Sequence, residues 1–379
     1  MAEPPDGFMF RVPGPGVLMR LGLIGGVLAL VCGAFAWSAG WLSAHRLTQT
    51  GMIDALHTVD GVHPGFRSNH AKGVCVTGWF EGSGQASALS TASVFGRERS
   101  AVVGRFALAG GMPFQPDAPA KVRSMALRLM PPHGHEWRMG LNDIPVFVAR
   151  TPQDFHDLLL ATRPDPATGK PDPARVGPFM ATHPDTARAL AQIGHRTLSS
   201  GFADDSYLSL NTFRLIDARG VSSPVRWTMV PVGSPSVGSS PVGPPPVTSP
   251  PVAPTGTGPN ALFDALVAAL HRGPLQWRLM VSVGAPSDPT SDPTVAWPAD
   301  RRQVEAGTLT LTRAESEDNG PCTGITFDPT ILPEGIAVSD DPILPARSAV
   351  YMRSFVLRAG QTKPPSAIGP AAVGPGGPS

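Results

Sequence analysis

Residues 63–80 read HPGFRSNHAKGVCVTGWF. Arg67, Asn69, His70 and Lys72 lie in a polar stretch between Gly65 and Gly73. The run Val74–Phe80 that follows is the β-branched and aromatic pattern of a strand. Similar short runs recur downstream at Ala101–Leu108, Ala126–Met130, Pro145–Val148, Ser206–Ile216, Pro224–Val230, Leu275–Val283 and Gly307–Arg313, punctuated by glycine and proline. Ala218-Arg219-Gly220 turns one strand of a pair into the next. Helical spacing appears at Ala44–Ala55, at Thr151–Ala161 behind a Thr-Pro cap signal, at Thr182–Gln192 and at Ala261–His271, and Thr168–Asp172 reads as a loop. The pattern predicts an α+β fold: an antiparallel β core with barrel-like character and helices in the connections.

The chain has 379 residues, with 30 Lys plus Arg against 29 Asp plus Glu. That balance gives no electrostatic footprint for nucleic acid. The 42 glycines and 44 prolines imply many turns and at least one unstructured stretch. Residues 231–259, rich in Pro, Val, Ser and Gly, read as a low-complexity insertion, and residues 361–379 as a disordered tail. Of the three cysteines, Cys32 lies in an apolar run. Cys75 and Cys322 have two readings, a disulfide or two separate buried thiols. No CxxC or Cys/His spacing suggests zinc.

Leu21–Leu42 carries no formal charge and is long enough to cross a bilayer. A short polar lead, residues 1–20, precedes it, and residues 44–360 form the main domain. Arg11 and Arg20 before the stretch and Arg46 after it point the N-terminus weakly toward the cytoplasm. The domain is then expected at the inner membrane, facing the periplasm. Ala34-Phe35-Ala36 also fits a signal-cleavage site, which would give a soluble periplasmic protein.

Near the other end, Arg347-Ser348-Ala349-Val350-Tyr351 sets an arginine four residues before one of only two tyrosines. On a helix, both side chains share a face. A neighbouring guanidinium favours the phenolate, a known axial ligand of haem iron. Taken alone, the same pair fits an ordinary surface helix.

Read together, the two segments resemble the catalase superfamily. HPGFRSNHAKG looks like its distal motif and RSAVYMRSF like its proximal one. Gly104-Arg105-Phe106, Leu141–Phe147, Tyr207–Phe213, Phe327-Asp328-Pro329 and Gly335-Ile336 match intervening motifs in order, over about residues 60–358. The length resembles that of the catalase-related peroxidases, which lack a C-terminal helical domain. The resemblance implies a catalase-like β-barrel with surrounding helices, a haem b cofactor, and reduction of hydrogen peroxide with electrons from a donor: a quinol, a cytochrome or a small phenol. It implies His70 as the distal acid–base group and Asn142 as the side chain that holds peroxide. Tyr351 is the implied iron ligand, stabilised by Arg347. Arg67, Arg105 and Arg358 are the implied propionate partners, with Phe147 and Phe155 lining the distal side. The missing C-terminal region implies a monomer or homodimer. His63, His133, His135, His183 and His195 sit in loop-like contexts and are given no role.

Three positions depart from the family pattern. Ala107 stands where full catalases have a serine that bonds the distal histidine, and its loss is expected to loosen His70. Asn69 replaces a bulky apolar residue and is expected to make the channel wetter. Val356 replaces an arginine. These changes favour peroxidase over catalase turnover. They also keep open a hydroperoxide isomerase, or a non-catalytic haem or lipid binder, on the same barrel.

Overall fold

The computed structural model describes residues 14–38, 47–118, 121–233 and 258–374. It divides into two units, residues 1–48 and 49–379. The first holds helix α1, Pro15–Ser38, with no buried residue and a mean hydropathy of 2.1 over its most apolar window. It is long and apolar enough to cross a membrane. The helix begins earlier than the expected Leu21, because Pro15 suits a first helical position and Arg20 is tolerated within it. The former polar lead is thus helical from residue 15. Residues 1–13 and 39–46 lie outside the described residues.

Among the described residues, the second unit contains ten strands. β1 (Gly73–Gly82), β2 (Arg99–Leu108), β3 (Arg123–Met130) and β4 (Trp137–Asn142) form a meander. β5 (Tyr207–Leu208) joins β4 to β7 (Ser222–Pro231), while β8 (Leu275–Val283) and β9 (Arg302–Glu315) return to β1. The pairing of β7 with β8 closes these eight strands into an antiparallel barrel, so the ring has no open edge. β6 (Phe213–Ile216) and β10 (Ile336–Val338) extend the sheet beside β7.

Alternation sorts the side chains. On β4, Trp137, Met139 and Leu141 enter the barrel, whereas Arg138, Gly140 and Asn142 face out. The interior is dense with large apolar groups: Phe106, Leu127, Trp137, Trp227 and Trp277 are all buried. Each contributes about 1.5–3 kcal/mol of burial. Trp137 and Trp227 meet edge-on with ring centroids 5.0 Å apart.

The helices lie in the connections. α2 (Gln49–Asp60) packs against α3 (Pro152–Thr162) and α7 (Ile343–Ala359). α4 (Pro173–Thr182) and α5 (Pro184–Gly194) follow α3; α6 (Ala261–Arg272) packs on β9, and α8 (Pro370–Val373) ends the described chain. α3 starts at the expected cap, a reciprocal Thr151–Asp154 box.

Several expectations are corrected. Residues 145–148 are not a strand: Pro145 lacks an N–H, and Phe147 N bonds the carbonyl of Pro293 outside any ladder. The strand lies just before them, as β4. The run 206–216 is broken because Leu210 is left-handed, with φ 61°. α2 begins at Gln49, not Ala44. Residues 361–374 pack rather than trail: Ile368 is buried and its carbonyl accepts a bond from Ser316 Oγ at 2.8 Å. Residues 375–379, and residues 234–257 of the Pro-rich insertion, lie outside the described residues.

Candidate active site

The outward faces of β2, β3 and β4 form two rows across the strands. Arg105, Ala126 and Gly140 are register partners in one; Ala107, Ser124 and Asn142 are partners in the other. Their small members leave a shallow floor beneath a cavity of about 190 Å³. Arg67, His70, Arg105, Asn142, Phe147, Phe155, Arg347, Tyr351 and Arg358 all line it. The segments identified from sequence therefore meet in one place.

Helix α7 supplies a stripe. Arg347, Tyr351, Ser354 and Arg358 recur at intervals of four, three and four residues, which places them on one helix face. Arg347 Nη2 donates to the Tyr351 phenol oxygen at 3.4 Å, and Nη1 donates to Asn211 Oδ1 at 2.6 Å. Asn211 is fixed in turn by donating to Asp341 Oδ2 at 2.8 Å. The absence of a side chain at Gly140 matters: a Cβ there would lie 2.7 Å from Arg347 Nη2 and 3.3 Å from the Tyr351 oxygen. Ser354 Oγ accepts from Ser68 N at 3.2 Å, which clips α7 to the turn bearing His70.

That turn is unusual. His70 has φ 55°, a left-handed conformation that side chains rarely adopt. Asn69 supports it: its Oδ1 accepts from His70 N at 2.8 Å and from Gly110 N at 2.9 Å. The Asn69 carbonyl is thus committed to backbone, while the side chain still lines the cavity. Burial, followed by the positive Arg105 and Arg347, pushes the His70 imidazole down to about 3. The ring is therefore neutral across the ordinary pH range.

The expectation of a loosened His70 is overturned. Ser124 Oγ lies 3.0 Å from His70 Nδ1 and donates to Asn142 Oδ1 at 2.5 Å. A hydroxyl does contact the histidine, but it comes from β3, directly across from Ala107.

At another edge of the cavity stand three arginines. Arg105 Nε and Nη2 make two bonds to buried Glu317, 2.6 and 2.7 Å long. Arg67 donates to the carbonyls of Cys322 and Ile325 at 3.1 and 3.0 Å, and Arg358 to Thr323 O at 2.7 Å. Gly73 leaves the space that the Arg105 guanidinium fills. Burial, then Arg105 and Arg358, push the Arg67 guanidinium down to about 9. Burial raises Glu317, but Arg105, Arg67 and Lys363 together outweigh it and hold the carboxyl below its usual value. Three guanidiniums face one carboxylate, so the cluster has spare positive charge for a ligand with two carboxylates. The loop that supplies these carbonyls is tied to β1 by a disulfide between Cys75 and Cys322, which decides between the two readings of those cysteines.

Phe147 and Phe155 stack obliquely at 5.3 Å, with Met52, Leu56 and Pro152 beside them in the lining. Val356 is exposed on α7 and does not reach the cavity lining. Ser124, Glu317, Ser354 and Asn211 were not identified from sequence. Ser354 alone had a usable signal, its position in the α7 stripe.

Residues 38–363 match the catalase family model. A catalase-related peroxidase of Synechococcus elongatus is 34% identical over 316 residues, covering 83% of this chain and 90% of the relative. One from Mycolicibacterium paratuberculosis is 32% identical, covering 83% and 96%. A bacterial catalase structure superposes with TM-score 0.65 at 20% identity, and a fungal catalase with 0.64 at 18%. The matches to these two structures cover 78% of this chain but only 58% and 60% of theirs.

Proposed function

The chain belongs to the catalase family, and on that premise we propose that it is a haem b peroxidase with weak catalase activity. It reduces hydrogen peroxide, and organic hydroperoxides that fit, with electrons from an external donor. The reading is carried by one observation: a guanidinium-backed phenol and a neutral imidazole beside an amide share one cavity with a positively charged end.

The residues present fit the group. Tyr351 would hold the iron through its phenol oxygen, which accepts a hydrogen bond from Arg347. Arg67, Arg105 and Arg358 would pair with the two propionates, and Ala107, Ala126 and Gly140 would leave room for a flat ring. When bound, haem supplies the redox centre that exchanges electrons with peroxide. His70 takes the proton from one peroxide oxygen and delivers it to the departing one, a role open to it because its buried ring is uncharged. Asn142 donates from its amide nitrogen and holds the substrate in reach. The electron donor completes the reduction to water.

Rapid mixing of haem-loaded protein with hydrogen peroxide tests the assignment. His70→Ala should slow the reaction while haem stays bound; an unchanged rate would remove His70 from the chemistry.

We further place the domain on the periplasmic face of an inner membrane, as a monomer or homodimer held by α1. The apolar helix, Arg20 in its second turn and the disulfide support this placement. Alkaline extraction distinguishes it from a cleaved, soluble periplasmic form: an anchored chain stays with the membrane, a cleaved one is released.

A further inference from the structure

We propose that Ser124 is the positioning residue that prepares both distal groups at once: its hydroxyl fixes the proton of His70 on Nδ1 and turns the amide nitrogen of Asn142 toward the cavity. The inference rests on the roles given above to His70 and Asn142.

The Asn142 Oδ1 atom accepts only, so in its contact with Ser124 the hydroxyl must donate. A hydroxyl has a single hydrogen. Toward His70 Nδ1, 3.0 Å away, Ser124 can then only accept, so Nδ1 carries the hydrogen. The neutral ring consequently has a bare Nε2, the form able to take a proton. The same hydroxyl occupies Asn142 Oδ1, which leaves the two N–H groups of that amide for the cavity. Ser124 thereby sets the donor, and it sets the base together with the Leu108 backbone, which also bonds the His70 ring.

Ser124 is well placed to do so. It is buried, it lines the cavity, and it sits between Ala107 and Asn142 in the cross-strand row. Its partners across both ladders are apolar or amide, so within that row it carries the only hydroxyl. A short side chain on a strand paired on both sides has little freedom to rearrange.

The test uses the full chain, free of haem, with histidine labelled by ¹⁵N, and reads the two ring nitrogens of His70 by NMR; a His70→Ala sample assigns them. The parent should show the Nδ1–H form. Ser124→Ala should shift the ring toward Nε2–H or a mixture, and Ser124→Thr, which keeps a hydroxyl, should hold the parent pattern. After haem loading, Ser124→Ala should react with peroxide about 10- to 100-fold more slowly, the usual loss for an orienting partner, with haem affinity unchanged. A parent ring in the Nε2–H form would overturn the proposal, because it requires the reverse chain of bonds, from Asn142 through Ser124 to His70. An Ala variant with an unchanged ring would overturn it too. Ring signals that respond as stated, in a chain whose haem-loaded parent is inert to peroxide, would uphold the role of Ser124 and overturn the peroxidase reading instead.

Discussion

Ala107 and Ser124 are register partners across β2 and β3, and it is Ser124 whose hydroxyl lies 3.0 Å from His70 Nδ1. The hydroxyl that the β2 position lacks is supplied by the strand beside it. Directly paired residues on one sheet face have their Cβ atoms only about 5 Å apart, so a neighbouring strand can serve the same ring.

His70→Ala should lower the rate of reaction with hydrogen peroxide by about 10²- to 10⁴-fold, the range of a lost acid–base group. Haem binding should persist, since the iron-side and arginine residues are untouched. Stopped-flow rates and haem titration of the variant check both halves.

The rate should be flat from about pH 5 to pH 8 as far as His70 is concerned, because burial and then Arg105 and Arg347 depress its pKa from 6.5 to about 3. An inflection near 6.5 that disappears in His70→Gln would show an exposed, ordinary imidazole. The same shift has a stability consequence. Below 6.5 the unfolded ring binds a proton that the folded ring refuses, so His70 makes no contribution above that pH and a growing penalty down to about 3. Urea unfolding of parent and His70→Gln at several acid pH values reads this difference.

Glu317→Gln should destabilise the haem-free protein by about 3–5 kcal/mol, because it leaves the buried Arg105 without its counter-charge. Added haem should recover much of the loss if its propionates meet the same guanidiniums. Melting curves with and without haem make the comparison. A variant as stable as the parent in both states would detach Glu317 from the cluster.

Replacing Cys75 and Cys322 together by Ser should cost about 2–5 kcal/mol. It should also weaken haem binding, because the carbonyls of Cys322, Thr323 and Ile325 hold Arg67 and Arg358. Loss of stability with unchanged haem affinity would limit the disulfide to a structural staple.

A lipid hydroperoxide separates the peroxidase from an isomerase on the same scaffold. Met52, Leu56 and Pro152 give the lining an apolar side that such a substrate would tolerate. Peroxidase chemistry yields the alcohol; an epoxide or aldehyde would assign the isomerase. Chromatography of the products decides.

The site was legible wherever its chemistry lies in a contiguous segment. Arg67 and His70 share one turn, Arg347, Tyr351 and Arg358 share one helix face, and their order along the chain carries the barrel with it. Ser124 and Glu317 were not legible, because each acts through a partner on another element: Ser124 depends on β2–β3–β4 register, and Glu317 on the loop fastened by Cys322. Strand boundaries failed for local reasons. Pro145 interrupted an otherwise β-prone run, and left-handed Leu210 split another. The segment after Gln361 looked too rich in Pro and Gly to order, yet Ile368 anchors it in the main hydrophobic core.

The most direct test is the absorption spectrum of the purified full chain, with haem supplied, recorded for the parent and Tyr351→Phe before and after hydrogen peroxide. The account predicts a high-spin ferric Soret band in the parent, which shifts on peroxide and returns when a reducing phenol is added, with weaker binding and an altered band in the variant. A parent that forms no Soret band in excess haem would contradict the account and leave a barrel that binds something else.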